Sequence, residues 1–303
     1  MKILFLGSSR FSKIVLNKML DNGLDIIGVI TQPDKPSGRG HKLTPTVVKS
    51  YALEKNIKVY DFDKVKNHIE EIKKIDYDLA VVASFGQILP EDFLNIKLTI
   101  NVHPSLLPKY RGASPIQSAL LEGDKISGVT IMKVAKEVDS GDILLQQQFA
   151  ISDEYYLELE EKLACLGGEM ACQAVKLLEK GEARFAPQQH EKATFTPKFT
   201  KEDGFLDFNL SAEQNERRVR ALSEESGCFV RLNQQELLKI GKVKATNEFS
   251  LQPKEVLFSK KRFVIGCAQG ALEILTCQSP SGKMINGRDY LNGHNEILGG
   301  KVF

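Results

Sequence analysis

The segment NVHPSLLPKYRG, from Asn101 to Gly112, combines an amide, an imidazole and a guanidinium with two prolines. It directly follows an apolar run that is typical of a buried strand. Because Asn101 and His103 are two positions apart, a continuing strand points both side chains to the same side. An Asn side-chain N–H can stabilise an oxyanion, and His is suited to proton transfer near neutral pH. The pair therefore suits acyl transfer; the alternative is an Asn that caps a turn beside a satisfied loop histidine.

Apolar runs alternate with helical patterns through the first half of the chain and predict an α/β fold. Continuous, β-branched strands that alternate with helices indicate a parallel sheet covered on both faces. The predicted strands are residues 2–7, 25–30, 58–60, 78–83, 98–102, 128–133 and 143–149, and predicted helices include 47–53 and 152–179. Ligands of such sheets bind beyond the carboxyl ends of the strands, so the loops GSSRFS, SFGQILP and NVHPSLLP are expected to meet. The first loop lacks the GxGxxG pattern, and a nicotinamide cofactor is therefore not expected.

The sequence changes character after residue 186. Gln, Thr and Pro accumulate in residues 187–203, which indicates a linker. A helix from Ser211 to Leu222 and several short strand-like runs follow, and their close spacing predicts a small β-barrel or sandwich. Of the two, we expect a small OB-like β-barrel. The predicted organisation is a Rossmann-like catalytic domain over residues 1–186, the linker, and a C-terminal β-barrel domain over residues 204–303.

The composition is that of a soluble globular protein: 42% of the 303 residues are hydrophobic, 26% are charged, and the net charge is +2. No window approaches the roughly 18 consecutive apolar residues that a membrane span needs. The five cysteines have neither CxxC nor Cys/His spacing, so no disulfide framework or zinc site is expected and a reducing cytoplasm fits best. The histidines lack carboxylate or cysteine partners at metal-ligand spacing, and no metal is expected.

The segment KPSGRGHK, residues 35–42, forms a small basic loop without an acidic residue. Its cations Lys35, Arg39 and Lys42 can neutralise phosphates, and its glycines allow close backbone approach. A charge run is often no more than a solvated face. A Gly-Arg-Gly loop bounded by prolines favours nucleic-acid contact instead.

NVHPSLLPKYRG, with the ASPIQ that follows it and VDSGDIL at residues 138–144, resembles the signature of the folate-dependent formyltransferases. The resemblance implies a Rossmann-like formyltransferase domain and 10-formyltetrahydrofolate as the formyl donor. It also implies that Asn101, His103 and Asp139 are the catalytic residues. In these roles Asn101 donates to the formyl oxygen, His103 stabilises the intermediate or handles the proton, and Asp139 orients His103.

The segment TQPDKPSGRGHKL, residues 31–43, is similar to an inserted loop in the members of this family that formylate initiator Met-tRNA. The C-terminal segments GALEIL, QSPSGK and DYLNG are similar to the tRNA-binding domain of those members. The resemblance thus implies initiator Met-tRNA as the acceptor, a role in translation initiation, and tRNA contacts from Lys35, Arg39 and Lys42. It further implies a monomer in the cytoplasm.

The resemblance also implies where the folate lies. Residues of SFGQILP are expected to line the pterin pocket, because a flat heterocycle needs apolar walls. The loop after His103 is expected to lie closer to the folate. The predicted donor-binding residues are Phe85, Ile88, Leu89, Ser105, Leu106, Leu107 and Pro108. Arg111 has two interpretations, since it could either tie the loop down or meet the substrate.

Three other functions remain open at this point. A formyltransferase for a small amine accounts for Asn101 and His103 but leaves the basic loop without a task. A folate-dependent hydrolase would deliver the formyl group to water. A non-enzymatic RNA-binding protein explains the basic loop but not the set Asn101, His103 and Asp139.

Overall fold

The structure is a computed structural model that describes residues 1–37, 42–232, 236–259, 261–280, 282–294 and 300–302. The chain divides into two compact units. The first comprises Met1–Pro115, Ile126–Ala150 and Glu160–Thr196, and the second comprises Ile116–Lys125, Ile151–Leu159 and Pro197–Phe303.

The strands are β1 (Ile3–Gly7), β2 (Ile26–Ile30), β3 (Lys35–Ser37), β4 (Lys42–Thr44), β5 (Val59–Tyr60), β6 (Leu79–Ala83), β7 (Thr99–His103), β8 (Arg111–Gly112), β9 (Ile126–Lys133), β10 (Ile143–Ala150), β11 (Phe195–Thr196), β12 (Cys228–Arg231), β13 (Leu237–Thr246), β14 (Val256–Ser259), β15 (Arg262–Gly266), β16 (Ala271–Gln278) and β17 (Ile285–Asn286). The helices are α1 (Arg10–Asp21), α2 (Val47–Glu54), α3 (Ile69–Ile72), α4 (Glu91–Leu94), α5 (Pro115–Glu122), α6 (Tyr156–Glu179), α7 (Ala212–Leu222) and α8 (Gly287–Asn292), with 3-10 turns at Val65–Asn67, His190–Lys192 and Glu202–Gly204.

The first unit is built on a seven-stranded sheet in the order β10-β9-β7-β6-β1-β2-β5. Strands β7, β6, β1, β2 and β5 run parallel, which confirms the predicted parallel sheet for this part. Strand β9 runs antiparallel to β7, and β10 runs antiparallel to β9. The sheet is therefore mixed at one edge. An apolar run such as that of β9 cannot reveal this, because a buried strand has the same pattern in either direction.

The core of the first unit packs against the central strands. Strands β1 and β6 are buried along their whole length, as expected for strands covered on both faces. Helix α1 begins at the N-cap Ser9, which forms a reciprocal capping box with Ser12. Helix α6 begins at Tyr156, not at Ser152 as predicted, and the Glu154 carboxylate accepts the Ser152 N–H in the turn before it.

The second unit contains an antiparallel sheet in the order β12-β13-β16-β15-β14, with β17 paired to β16. The short C-terminal strands predicted from the sequence are thus present. The N-cap of helix α7 is Ser211, whose side chain accepts from the Gln214 N–H while the Gln214 side chain accepts the Ser211 N–H. Among the described residues, no helix combines the length and the apolar composition that crossing a bilayer requires.

Candidate active site

Asn101 and His103 lie at the carboxyl end of strand β7. Asn101 lies opposite Val82 of β6, and His103 lies opposite Thr130 of β9. Both side chains reach Asp139, in the loop between β9 and β10. The placement on one side is the one that strand alternation predicts.

His103 is buried, with 4% of its surface exposed. Its Nε2 lies 2.9 Å from the carbonyl oxygen of Tyr110. A carbonyl oxygen can only accept, so Nε2 carries the hydrogen. The second nitrogen, Nδ1, lies 3.6 Å from the Asp139 carboxylate. Nδ1 is therefore the ring atom that can take up a proton, and a proton there lies beside a carboxylate.

Asp139 adopts a left-handed backbone conformation with φ of 49°, which is uncommon for a residue with a side chain. Its Oδ2 accepts the Gly112 N–H at 2.8 Å, and its Oδ1 lies 3.5 Å from Nδ2 of Asn101. The loop turns tightly after it, because a Cβ on Gly141 would lie 1.9 Å from the Lys133 carbonyl oxygen. The carboxylate is thus held between β7 and β8.

Arg111 is 4% exposed and points away from solvent. Its Nε and Nη2 donate to Oε1 of Gln188, at 3.2 and 2.7 Å, and Nη2 lies 3.0 Å from Nδ1 of His190. Of the two interpretations of Arg111, this geometry favours the one in which it ties the loop down. Sequence reasoning missed Gln188, which lay in a segment read as linker.

A cavity of about 460 Å³ opens beside these residues. This volume is in the range of small-molecule sites. Its lining includes Val82, Phe85, Ile88, Leu89, Asn101, His103, Pro104, Met132, Val134, Val138 and Asp139. Of the three predicted pterin-pocket residues, Phe85 is buried, Leu89 is half-buried and Ile88 is 83% exposed. The cavity therefore combines apolar walls with the polar cluster of Asn101, His103 and Asp139.

The residues Ser105, Leu106, Leu107 and Pro108 do not line this cavity. Their loop is bound by Thr130 of β9, whose Oγ1 donates to the Ser105 carbonyl and accepts the Leu107 N–H. Gln146 donates to the same hydroxyl and to the Leu107 carbonyl, both at 2.9 Å. The loop supports the site through its backbone, and contact of these four residues with the donor stays a prediction.

The first two loops contact each other as expected, although GSSRFS does not line the cavity. The Ser8 hydroxyl lies 3.3 Å from the Phe85 carbonyl oxygen, and Nε2 of Gln32 donates to the same oxygen at 2.9 Å. Gly86 has φ of 78°, a left-handed conformation in which a residue with a side chain is strained, so glycine is favoured there. Gln32 thus fixes the backbone of the wall that carries Phe85.

The basic loop begins and ends in a hairpin of β3 and β4, in which Lys35 lies opposite Thr44. Lys35 is exposed. Arg39 lies outside the described residues, and Lys42 is described only by its backbone in β4. In the second unit, the basic residue Arg262 forms ion pairs with Glu248 and Glu273. These carboxylates would compete with a phosphate for its guanidinium.

Over the described residues, no group of three or more His, Cys, Asp or Glu side chains could hold a metal ion. All five cysteines are free. The polar groups that lie together at the cavity include the Asn101 amide, the His103 imidazole and the Asp139 carboxylate. This set can stabilise an oxyanion and move a proton.

Comparison with known proteins agrees with this chemistry. The family model described as "Formyl transferase" matches residues 1–175, and the model described as "Formyl transferase, C-terminal domain" matches residues 198–295. The methionyl-tRNA formyltransferase of Caldanaerobacter subterraneus subsp. tengcongensis is 38% identical over 302 residues, covering 97% of each chain. The methionyl-tRNA formyltransferase of Sulfurihydrogenibium sp. is 38% identical over 311 residues, covering 100% of each chain.

Solved structures share the fold at lower identity. WlaRD, a sugar 3N-formyl transferase crystallised in the presence of dTDP and 5-N-formyl-THF, has a TM-score of 0.69 at 22% identity, covering 93% of this chain and 99% of its own. HypX from Aquifex aeolicus, in complex with tetrahydrofolic acid, has a TM-score of 0.68 at 18% identity, covering 98% of this chain and 48% of its own.

Proposed function

The chain belongs to the formyl transferase family, and we propose that it transfers the formyl group of 10-formyltetrahydrofolate to the α-amine of methionine on initiator tRNA. The observation that carries this proposal is the match to methionyl-tRNA formyltransferases over the whole chain, including the C-terminal domain. A donor pocket alone would suit any acceptor amine. The product, formylmethionyl-tRNA, serves translation initiation.

The formyl donor occupies the cavity beside β7. The volume of about 460 Å³ and the apolar walls suit a flat heterocycle with a short tail. Among solved structures of the same fold, HypX was determined in complex with tetrahydrofolic acid and WlaRD in the presence of 5-N-formyl-THF. Phe85 and Leu89 provide walls for the pterin, and Ile88 contributes at the exposed edge. The reactive formyl group then lies toward Asn101 and His103.

In the reaction, the neutral amine of methionine attacks the formyl carbon, and a tetrahedral intermediate with an oxyanion forms. Nδ2 of Asn101 donates to this oxygen. The amine nitrogen loses a proton, for which Nδ1 of His103 is available because Nε2–H is engaged by Tyr110. The C–N10 bond of the folate then breaks, and N10 takes up a proton. Asp139 lies beside Nδ1 throughout and orients the ring.

The basic loop contacts the tRNA. Lys35, Arg39 and Lys42 neutralise backbone phosphates near the acceptor end. The exposure of Lys35 and the hairpin that presents the loop support this assignment. The C-terminal domain also binds the tRNA.

We also propose that the protein acts as a cytoplasmic monomer, with the catalytic domain over residues 1–186, the linker over 187–203 and the C-terminal domain over 204–303. The first compact unit continues to Thr196, so residues 187–196 of this linker belong to the same unit as the catalytic residues. Gel filtration with light scattering tests the monomer.

One experiment tests the proposed function. Purified protein is incubated with 10-formyltetrahydrofolate labelled in the formyl group and Met-charged initiator tRNA, and the label is followed. Label on methionyl-tRNA supports the proposal. Label released as formate without tRNA identifies a hydrolase, and transfer only to a small amine identifies a different formyltransferase.

A further inference from the structure

The position of Asp139 is fixed from two directions. On its side-chain face, the Gly112 N–H binds Oδ2 at 2.8 Å. On its backbone face, the side-chain amide of Gln188 donates to the carbonyl oxygens of Asp139 and Gly141, at 2.9 and 2.7 Å. Gln188 therefore brackets the turn in which Asp139 holds its left-handed conformation.

Gln188 is suited to this task by its own partners. Both hydrogens of its amide go to the two carbonyls, so its Oε1 must be the acceptor on the opposite side. Arg111 supplies two donors to that oxygen in a fork, which fixes the orientation of the amide. Gln188 is 6% exposed, so water does not replace these bonds.

Arg111 is itself held by the backbone around it. Its N–H donates to the Thr194 carbonyl at 2.8 Å, and β8 pairs in parallel with β11. Strand β8 thus fixes Asp139 in two ways. The Gly112 N–H binds the carboxylate directly, and Arg111 acts on the backbone carbonyl of Asp139 through Gln188. The Ala186 and Ile143 backbones exchange two hydrogen bonds, which brings the segment of Gln188 alongside the loop.

We propose that Gln188, oriented by Arg111, is a positioning residue that keeps the Asp139 carboxylate beside His103 for formyl transfer. The inference rests on the proposed function, in which Asp139 orients His103. Gln188 touches neither substrate. It acts on the rate through the position of Asp139.

The test compares Gln188→Ala and Gln188→Glu with Gln189→Ala, the exposed neighbouring glutamine that serves as the matched control. Gln188→Ala removes both donors. Gln188→Glu keeps the size and the contact with Arg111, but it turns a carboxylate oxygen toward two carbonyl oxygens. Thermal unfolding shows which variants are folded. If Gln188→Ala does not fold, the comparison is made with Gln188→Glu alone.

The expected result is a fall in kcat of about 10²-fold for both Gln188 variants, as for a catalytic group displaced by about 1 Å. KM for both substrates stays near the wild-type value, and Gln189→Ala behaves as wild type. In an Asp139→Asn background, Gln188→Ala lowers kcat little further, because both changes act on the same group. A folded Gln188→Glu variant with wild-type kcat overturns the proposal, and so does a full additional loss in the Asp139→Asn background.

A second readout does not depend on turnover. The ¹H–¹⁵N NMR signals of the His103 ring report the proximity of the Asp139 carboxylate to Nδ1. They are expected to shift in Gln188→Glu and to stay unchanged in Gln189→Ala. Unchanged signals in the folded Gln188 variants overturn the positioning role. An inactive wild-type protein refutes the proposed function, and the NMR result still decides the role of Gln188.

Discussion

The Nε2 atom of His103 lies 2.9 Å from the carbonyl oxygen of Tyr110, a residue that itself adopts a left-handed backbone with φ of 63°. The bond determines which nitrogen of the ring carries hydrogen in the neutral state. It leaves Nδ1 facing Asp139, and both residues line the cavity. One backbone carbonyl thereby sets the direction in which the histidine can accept a proton.

The substitution His103→Gln tests the role of Nδ1. A glutamine amide can still donate to the Tyr110 carbonyl, so the loop keeps its partner, but the side chain cannot accept a proton near neutral pH. We expect the single-turnover rate of formylation to fall by about 10²–10⁴-fold. The half-buried His68, which lies outside the cavity lining, provides the control His68→Gln. A folded His103→Gln variant with the wild-type rate would contradict the proton-transfer role.

The substitution Asn101→Ala removes the proposed donor to the oxyanion. The single-turnover rate should fall by about 10²–10³-fold, the usual loss for one oxyanion donor. Binding of the folate, measured by calorimetry, should change little, because this hydrogen bond strengthens only as charge develops. Asn67→Ala, at an exposed position, controls for loss of an asparagine. Equal losses in folate affinity and in rate would show that Asn101 binds the donor rather than the transition state.

Much of this site could be predicted from the sequence, but its supports could not. Strand alternation placed Asn101 and His103 on one side, because that relation is local. Gln188 gave no signal, since its partners are backbone carbonyls 47 and 49 residues away in the chain. The support of the Ser105–Pro108 loop by the Thr130 hydroxyl could not be predicted either, because this contact joins segments that are distant in the sequence.

The substitution Thr130→Val tests that support. Valine has nearly the shape of threonine but leaves the buried Leu107 N–H and Ser105 carbonyl without this partner. A buried polar group that loses its partner costs about 1–3 kcal/mol, so the free energy of unfolding should fall by about this amount in urea denaturation. Thr130→Ser keeps the hydroxyl and is expected to retain most of the stability. Equal stability of the valine variant and wild type would show that the hydroxyl bonds contribute nothing net.

Thiol reactivity should distinguish the cysteines. Burial raises the pKa of Cys228, Cys267 and Cys277 to about 12 and raises that of Cys172 as well. A raised pKa leaves these thiols protonated at pH 8, and the protonated form does not react with disulfide reagents.

Cys165 is partly exposed. A colorimetric titration of the native protein at pH 8 should therefore detect Cys165 first, with the others reacting only after denaturation. Rapid reaction of several thiols in the native state would contradict the buried positions.

The substitution Arg39→Ala tests the basic loop as a tRNA contact. Removal of one phosphate partner should raise KM for Met-tRNA and make the plot of log affinity against log salt shallower by about one unit. Affinity for 10-formyltetrahydrofolate should stay the same, since the proposed partner of Arg39 is the tRNA and not the formyl donor. Lys66→Ala, an exposed lysine outside the loop, is the matched control and should leave the salt dependence unchanged. If Arg39→Ala instead weakened folate binding and left the affinity for tRNA and its salt dependence unchanged, the loop would belong to the donor site. A lost contact with the phosphate backbone would change the salt dependence, because such contacts release counterions.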